Sequence, residues 1–219
     1  MPERSFTRVR TQPILIVLII DRSPSMGEQT GFGAGMVKID AVNRIVSPEL
    51  FRRLRNSRIS HNFDIAVVAF SETAEKVMGP VPVTSIEKLE LNFEPTGSGT
   101  SIASGLETAE EIYRRYSSGA EAEGVNFRTV FMVITDGEEN VDEKRLLEVS
   151  GRLKTAGVSI GCALLPSMSG GVTEQAKELM KKVVSSPDLF VDLSNEPKWV
   201  EKLRDFLPKS ISSVTGTQI

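Results

Sequence analysis

The chain has 219 residues, a formal net charge of -3 and 40% hydrophobic residues. This length suits a single α/β domain with a sizeable buried core, and the small charge argues against a protein that tracks a nucleic-acid backbone. The densest basic segment, residues 52–55, is interpreted as the exposed end of a helix. The single cysteine, Cys162, excludes an intrachain disulfide and lies in an apolar run that is typical of a buried strand.

Alternating strand and helix patterns run along the whole chain. Short β-branched or apolar runs predict strands at 14–20, 64–70, 74–78, 129–134, 159–164 and 189–192. Helical spacing of apolar residues predicts helices at 37–54, 101–116, 142–155, 173–184 and 197–207. The predicted fold is therefore a doubly wound, Rossmann-like, mostly parallel six-stranded sheet with helices on both faces, in which 74–78 is an antiparallel edge strand.

The segments outside this pattern define the expected domain organisation. Residues 1–12 are polar and predict a flexible arm. Residues 13–207 are expected to form one domain, and residues 208–219, which begin with Pro208, are expected to form a tail. Small polar residues at 117–124 predict a loop after the second helix. The apolar run 14–20 is too short to span a membrane, and Asp21 ends it without a signal cleavage site, so we expect a cytoplasmic protein.

Polar oxygen-bearing side chains follow the first strand directly. Asp21, Ser23 and Ser25 alternate along the loop that leaves its carboxyl end, where open α/β sheets bind ligands. Turn or helix capping by the two serines is the alternative interpretation. Ligands that are all oxygen suit a hard divalent cation such as Mg²⁺ or Mn²⁺ rather than zinc or copper.

Two further oxygen ligands are predicted at the same edge of the sheet. Thr100 ends a Gly-Ser-Gly-Thr segment whose glycines allow close approach of the backbone, although it also fits the N-cap of the next helix. Asp136 follows the strand 129–134 and precedes Gly137, which permits a sharp turn. The glutamates at 138 and 139 are interpreted as solvated loop acids.

These three pieces, in this order, resemble the metal-ion-dependent adhesion site (MIDAS) of von Willebrand factor type A domains. The resemblance covers about residues 13–207, and the family pattern implies five metal ligands here, namely Asp21, Ser23, Ser25, Thr100 and Asp136. Within the family, the compact chain and the segment 134–138 are most similar to bacterial cytoplasmic proteins associated with tellurite resistance and stress responses. Arg22 and Pro24 depart from the small residues that are more usual at their positions.

The expected function is binding without catalysis. Two carboxylates balance a divalent cation, with Mg²⁺ as the first choice and Mn²⁺ or Ca²⁺ as alternatives, and a coordination position is left for an aspartate or glutamate of a partner protein. No catalytic residue, organic cofactor, nucleic-acid partner or membrane partner is predicted. The glycine-rich segment 31–35 is interpreted as a rim of this site, with Phe32 and Met26 as exposed contact residues.

Two other classes of function remain as alternatives. A magnesium-dependent phosphohydrolase would also use an aspartate after the first strand, but it normally has a second acid two residues later, where this chain has Ser23. A component of an ATPase or of a nucleic-acid-associated complex is the other alternative. The acidic balance and the scarce aromatic residues argue against the nucleic-acid-associated role.

Overall fold

The structure is a computed structural model, and it describes residues 12–30, 35–137, 142–167 and 172–219. The strands are β1 (Ile14–Asp21), β2 (Phe63–Phe70), β3 (Ala74–Pro82), β4 (Arg128–Thr135), β5 (Ser159–Leu164) and β6 (Phe190–Asp192). The α-helices are α1 (Lys38–Arg44), α2 (Phe51–Asn56), α3 (Ile102–Ala122), α4 (Glu143–Thr155), α5 (Glu174–Val183) and α6 (Trp199–Thr215).

The strands form one six-stranded sheet in the order β3-β2-β1-β4-β5-β6. All neighbours are parallel except β2 and β3, which are antiparallel, so the predicted fold class is confirmed. The chain order reverses on either side of β1, and such a reversal opens a crevice at the carboxyl ends of the central strands. Asp21 pairs with Phe70 in β2, while Ile20 pairs with Ile134 in β4. The ends of β1 and β4 are therefore side by side.

Two hydrophobic layers cover the two faces of this sheet. Alternate residues of β1 face opposite ways, with Ile14, Ile16, Leu18 and Ile20 packed in the core under α1, α2 and α6, and Leu15, Val17 and Ile19 in the core under α3, α4 and α5. Every residue of β1 is buried, as its continuous apolar sequence predicts. No helix among the described residues has the length and apolar character needed to cross a membrane.

Three helices differ from their predicted extents. The predicted helix 37–54 is two short α-helices joined by a π-helical turn, Ile45–Leu50, which contains Pro48 and so lacks one backbone donor. The predicted loop at 117–124 is wrong, because α3 continues to Ala122 and Gly124 then takes a left-handed conformation. Serine and glycine are weak helix formers, so this continuation goes against local propensity. Within the continued helix, Ser118 Oγ donates to the carbonyl of Arg114, and Ser117 Oγ donates to Glu121 Oε1.

The last helix also continues beyond its predicted end. It passes through Pro208 and reaches Thr215, with Gly216 in the left-handed conformation as its C-cap. A proline removes one hydrogen bond from a helix interior. Ile211 is fully buried in the core one turn later, and this burial offsets that loss.

Gly105 lets α3 lie unusually close to the sheet. A β-carbon at this position would come within 2.8 Å of Ile19 Cγ2 and 3.1 Å of Phe70 Cδ1, both in strands that end at the candidate site. The absence of a side chain here therefore sets the distance between the helix and β1.

We predict that Gly105→Ala destabilises the protein by about 1–3 kcal/mol, because the added methyl group overpacks a closed core. Gly151→Ala is the matched control, since that glycine is also inside a helix but has no atom within 4 Å of the added carbon. The control should be neutral or stabilising by about 0.5–1 kcal/mol through helix propensity. Urea denaturation measures both, and equal effects at the two positions would contradict the packing argument.

Candidate metal centre

The loop after β1 is shaped by its first carboxylate. Asp21 Oδ1 accepts a hydrogen bond of 2.7 Å from the backbone N–H of Ser23, which turns the chain back on itself. A short 3₁₀ helix, Pro24–Gly27, follows at once. Pro24 occupies its first position, where its fixed φ suits a helix and its missing donor costs nothing. The unusual proline thus stiffens the turn that presents Ser25.

Hydroxyl groups connect this loop to the end of β4. Ser23 Oγ and Ser25 Oγ are 3.0 Å apart, and Ser25 Oγ donates to Asp136 Oδ1 over 2.8 Å. Ser23 is 2% exposed and Asp136 is 1% exposed. Residues separated by more than a hundred positions therefore meet in one buried polar cluster.

Thr100 lies against the same cluster. A β-carbon on Gly137 would be only 3.0 Å from Thr100 Oγ1, so Gly137 is the residue that lets the threonine side chain lie beside the Asp136 turn. The N-cap of α3 is Ser101, which accepts from the N–H of Ser104, and Thr100 does not fill that role. The structure therefore brings together all five side chains of the predicted ligand set.

The Thr100 loop is held from the side by the β2–β3 turn. The N–H of Ser101 donates to the carbonyl of Ser71 over 2.6 Å, and the N–H of Ser98 donates to Glu72 Oε2 over 2.7 Å. The Ser98 hydroxyl donates to the same oxygen. These hydrogen bonds from Ser98 lower the pKa of the Glu72 carboxyl group. The connection fixes the loop without using any predicted ligand.

In the absence of a bound cation, burial and charge repulsion disfavour the ionised form of Asp21. Desolvation is the larger cause and the nearby charge of Asp136 the second, and together they raise the pKa of Asp21 from 3.8 to about 7. Thr135 Oγ1 opposes this by donating to Asp21 Oδ2 over 2.5 Å, and it also accepts from the N–H of Gly137 over 3.1 Å. Thr135 is thus a supporting residue of the site. Its position in the Thr-Asp-Gly motif is the feature of the sequence from which this role could have been predicted.

Lys38 is a second residue that the sequence did not reveal. Its side chain is fully buried, and Nζ donates to Asp136 Oδ2 and lies 3.8 Å from Glu28 Oε2. Apolar periodicity predicts a helix here but gives a lysine in its first turn no special role. Only the fold, which brings the start of α1 against the end of β4, shows the contact.

The remaining predictions around the site have different outcomes. Met26 is completely buried, so its interpretation as an exposed contact residue is wrong; its side chain packs in the core under α1. Phe32 and the glutamates at 138 and 139 lie outside the described residues. Cys162 is buried as expected, and burial raises the pKa of its thiol.

The donor set fits a hard divalent cation. Two buried carboxylates placed close enough to repel each other need positive charge, and the neighbouring hydroxyls offer neutral oxygen ligands. Within the described part of the chain, no group of three or more His, Cys, Asp or Glu side chains is arranged to hold a metal. Any metal here would therefore be bound by the two aspartates together with hydroxyls and water.

We predict that Asp21 contributes a loss of stability to the metal-free protein as the pH rises from about 4 to about 7. In this window the folded protein keeps the Asp21 proton that the unfolded chain releases, so each rise in pH favours unfolding. Asp21→Asn should remove this loss and stabilise the metal-free protein at pH 8 by about 1–3 kcal/mol. Urea denaturation in chelator at several pH values measures it; parallel curves for the two proteins would contradict the assignment.

Solved structures of other proteins share this fold. The pilus adhesin SpaC from Lactobacillus rhamnosus GG has a TM-score of 0.64 at 17% identity, over 91% of this chain and 30% of that chain. Proximal thread matrix protein 1 from mussel byssus, with a zinc-occupied MIDAS motif, has a TM-score of 0.62 at 19% identity, over 93% and 46%. Manganese-loaded TRAP protein from Plasmodium vivax has a TM-score of 0.53 at 18% identity, over 92% and 74%.

This chain spans less than half the length of the first two of these proteins, and likeness at such low identity concerns the fold alone. No curated protein sequence gives a significant match. The model of the von Willebrand factor type A domain family matches residues 16–205. This range contains all five residues of the cluster and every strand, apart from the first two residues of β1. The chain therefore belongs to the von Willebrand factor type A domain family.

Proposed function

We propose that this protein is a metal-dependent interaction module that binds an acidic side chain of a partner protein. The observation that carries the proposal is the buried cluster in which Ser25 joins Asp136 to the Asp21 loop. Its chemistry is that of a cation site, because like charges are buried together with hydroxyl oxygens around them. The zinc-occupied MIDAS motif of the mussel protein and the manganese-loaded Plasmodium protein, which share this fold, support a divalent ion of this kind.

Each member of the cluster has a distinct part in this function. Asp21 and Asp136 supply the negative charge that balances a bound divalent ion. The hydroxyls of Ser23, Ser25 and Thr100 are neutral ligands, so the ion can still attract a further anion. When bound, the cation provides an electrophilic centre that accepts a carboxylate oxygen from outside. The rigid Pro24 turn and the Ser101–Ser71 hydrogen bond hold the hydroxyls in place before binding, which reduces its entropic cost.

Mg²⁺ is the proposed cation, with Mn²⁺ and Ca²⁺ as alternatives, because oxygen ligands and water suit all three. We further propose a cytoplasmic adaptor in a bacterial stress-response or tellurite-resistance system. Its segment 134–138 and its buried unpaired cysteine support this context. Purification of partners from the native cell in magnesium and again in chelator tests it, and partners retained equally in chelator would contradict it.

One observation favours a phosphohydrolase as a second candidate. Enzymes of that kind use a lysine near the aspartate, and Lys38 is such a lysine. Its ammonium group is fully buried and held by Asp136, however, and Ser23 stands where a general acid is needed. Turnover of a generic phosphate ester in Mg²⁺, abolished by Asp21→Asn, would favour the enzyme; absence of turnover is expected.

We predict that Asp136→Ala weakens Mn²⁺ binding by about a hundredfold or more, because a buried carboxylate and the acceptor of Ser25 are both lost. Calorimetric titration of the full chain measures the affinity. Asp64→Asn is the matched control, since Asp64 is also a buried strand aspartate but pairs with Leu15 near the opposite end of β1. Equal affinity of the Asp136→Ala protein and the control would contradict the proposed site.

A further inference from the structure

Two effects, burial and the dipole of α1, disfavour a positive charge on Lys38. Its side chain is fully buried, and transfer of an ammonium group out of water is costly unless it is paired. It is also the first residue of α1, where the helix dipole favours negative charge. A cation that persists against both effects must be stabilised by its immediate partners.

Those partners belong to the candidate metal centre. Nζ donates to Asp136 Oδ2, while the other oxygen of the same carboxylate accepts from Ser25. Glu28 is the second partner, but its side chain is 40% exposed and its oxygen is 3.8 Å away, so water screens much of its charge. The ammonium group thus neutralises one of the two buried aspartates.

The loop before α1 fixes this arrangement. The N–H of Lys38 donates to the carbonyl of Glu28 over 3.3 Å, and Gln29 forms an isolated antiparallel bridge with Val37. The chain therefore returns to the metal-site loop just before α1 begins. Lys38 is held beside Asp136 by backbone pairing as well as by its own charge.

We propose that Lys38 is a built-in counter-ion that makes metal binding weak in isolation and dependent on an anionic ligand. The inference rests on the proposed function, since it concerns the same site. With Asp21 and Asp136 ionised, Lys38 present and a divalent cation bound, the buried cluster carries one net positive charge. A carboxylate from a partner would remove that excess, so cation and carboxylate favour each other's binding.

The same contact explains how the fold tolerates the site without a metal. The Lys38 ammonium group compensates Asp136 in the free protein, so a divalent cation gains less by entering and must compete for this carboxylate. Removing the ammonium group should therefore have opposite effects on two measurements. It should lower stability in chelator and raise affinity for the cation.

Lys38→Met tests this inference in the full chain, because it keeps an unbranched side chain only one atom shorter and removes the charge. We expect Mn²⁺ to bind about tenfold more tightly or better than to the wild type, and Mn²⁺ to raise the melting temperature of the variant by more. Excess acetate should strengthen Mn²⁺ binding to the wild type and have a smaller effect on the variant. Calorimetry and thermal melts in chelator and in Mn²⁺ give these readouts.

Lys177→Met is the matched control. Lys177 is 8% exposed and also lies between two carboxylates, 2.8 Å from Glu174 Oε1 and 3.1 Å from Asp192 Oδ2, but it is beside β6, two strands beyond β4. Its loss should lower stability while changing Mn²⁺ affinity by less than about twofold. Should Lys38→Met fail to fold, Lys38→Gln repeats the test, since the amide can still donate to Asp136.

The outcomes separate this inference from the function on which it rests. Tighter Mn²⁺ binding by the Lys38 variant alone supports the inference. Equal or weaker Mn²⁺ binding by the variant, with clear binding by the wild type, overturns the role of Lys38 and leaves the metal site intact. Absence of Mn²⁺ binding in all these proteins, with and without acetate, overturns both.

Discussion

Asp21 and Asp136 lie at the ends of adjacent parallel strands, almost without solvent contact, and their negative charges repel each other. The contacts around this pair reduce that cost. Thr135 donates to one carboxylate, and Ser25 and Lys38 donate to the other. Buried polar networks specify a single arrangement only when each member is satisfied. The hydrogen bonds made to the two aspartates are thus what orders the surrounding loops, and a divalent cation is the chemical group that would relieve the remaining repulsion most directly.

Backbone contacts position the third loop of the site. The N–H of Arg22 donates to the carbonyl of Phe70, and the N–H of Thr96 donates to the carbonyl of Arg22, each over 2.7 Å. Gly27 permits close packing of Pro95, because a β-carbon there would be 2.8 Å from the proline ring. The loops after β1 and β2 and the segment before α3 are therefore one connected unit. The contacts that position Thr100 in the cluster are thus made by residues outside the predicted ligand set.

The sequence was informative where local chemistry decides the outcome. The strands were predicted because continuous β-branched runs must be buried on both faces, and the convergence of the two aspartates because loops at the carboxyl ends of such strands meet. The full set of five ligands, with Thr100, came from the resemblance to the von Willebrand factor type A pattern. The sequence failed where tertiary packing overrides local preference. Burial of Ile211 carries α6 through Pro208. Lys38 was missed for the same reason, since its partner is ninety-eight positions away. The continuation of α3 is a different case, because none of its residues after Ile112 is buried and burial in the core does not account for it.

The buried lysine changes the chemistry of the proposed metal site. A site of two aspartates and hydroxyls alone would be neutral once loaded, and it would gain most of its charge compensation from the cation. With Lys38 in place, the free protein is already partly compensated, and the loaded site has an excess of positive charge. On the proposed function, this would shift part of the binding free energy from the binding of the cation to the binding of the outside anion. For an interaction module this division is useful, because the strength of attachment then depends on the partner's carboxylate and not on the cation alone.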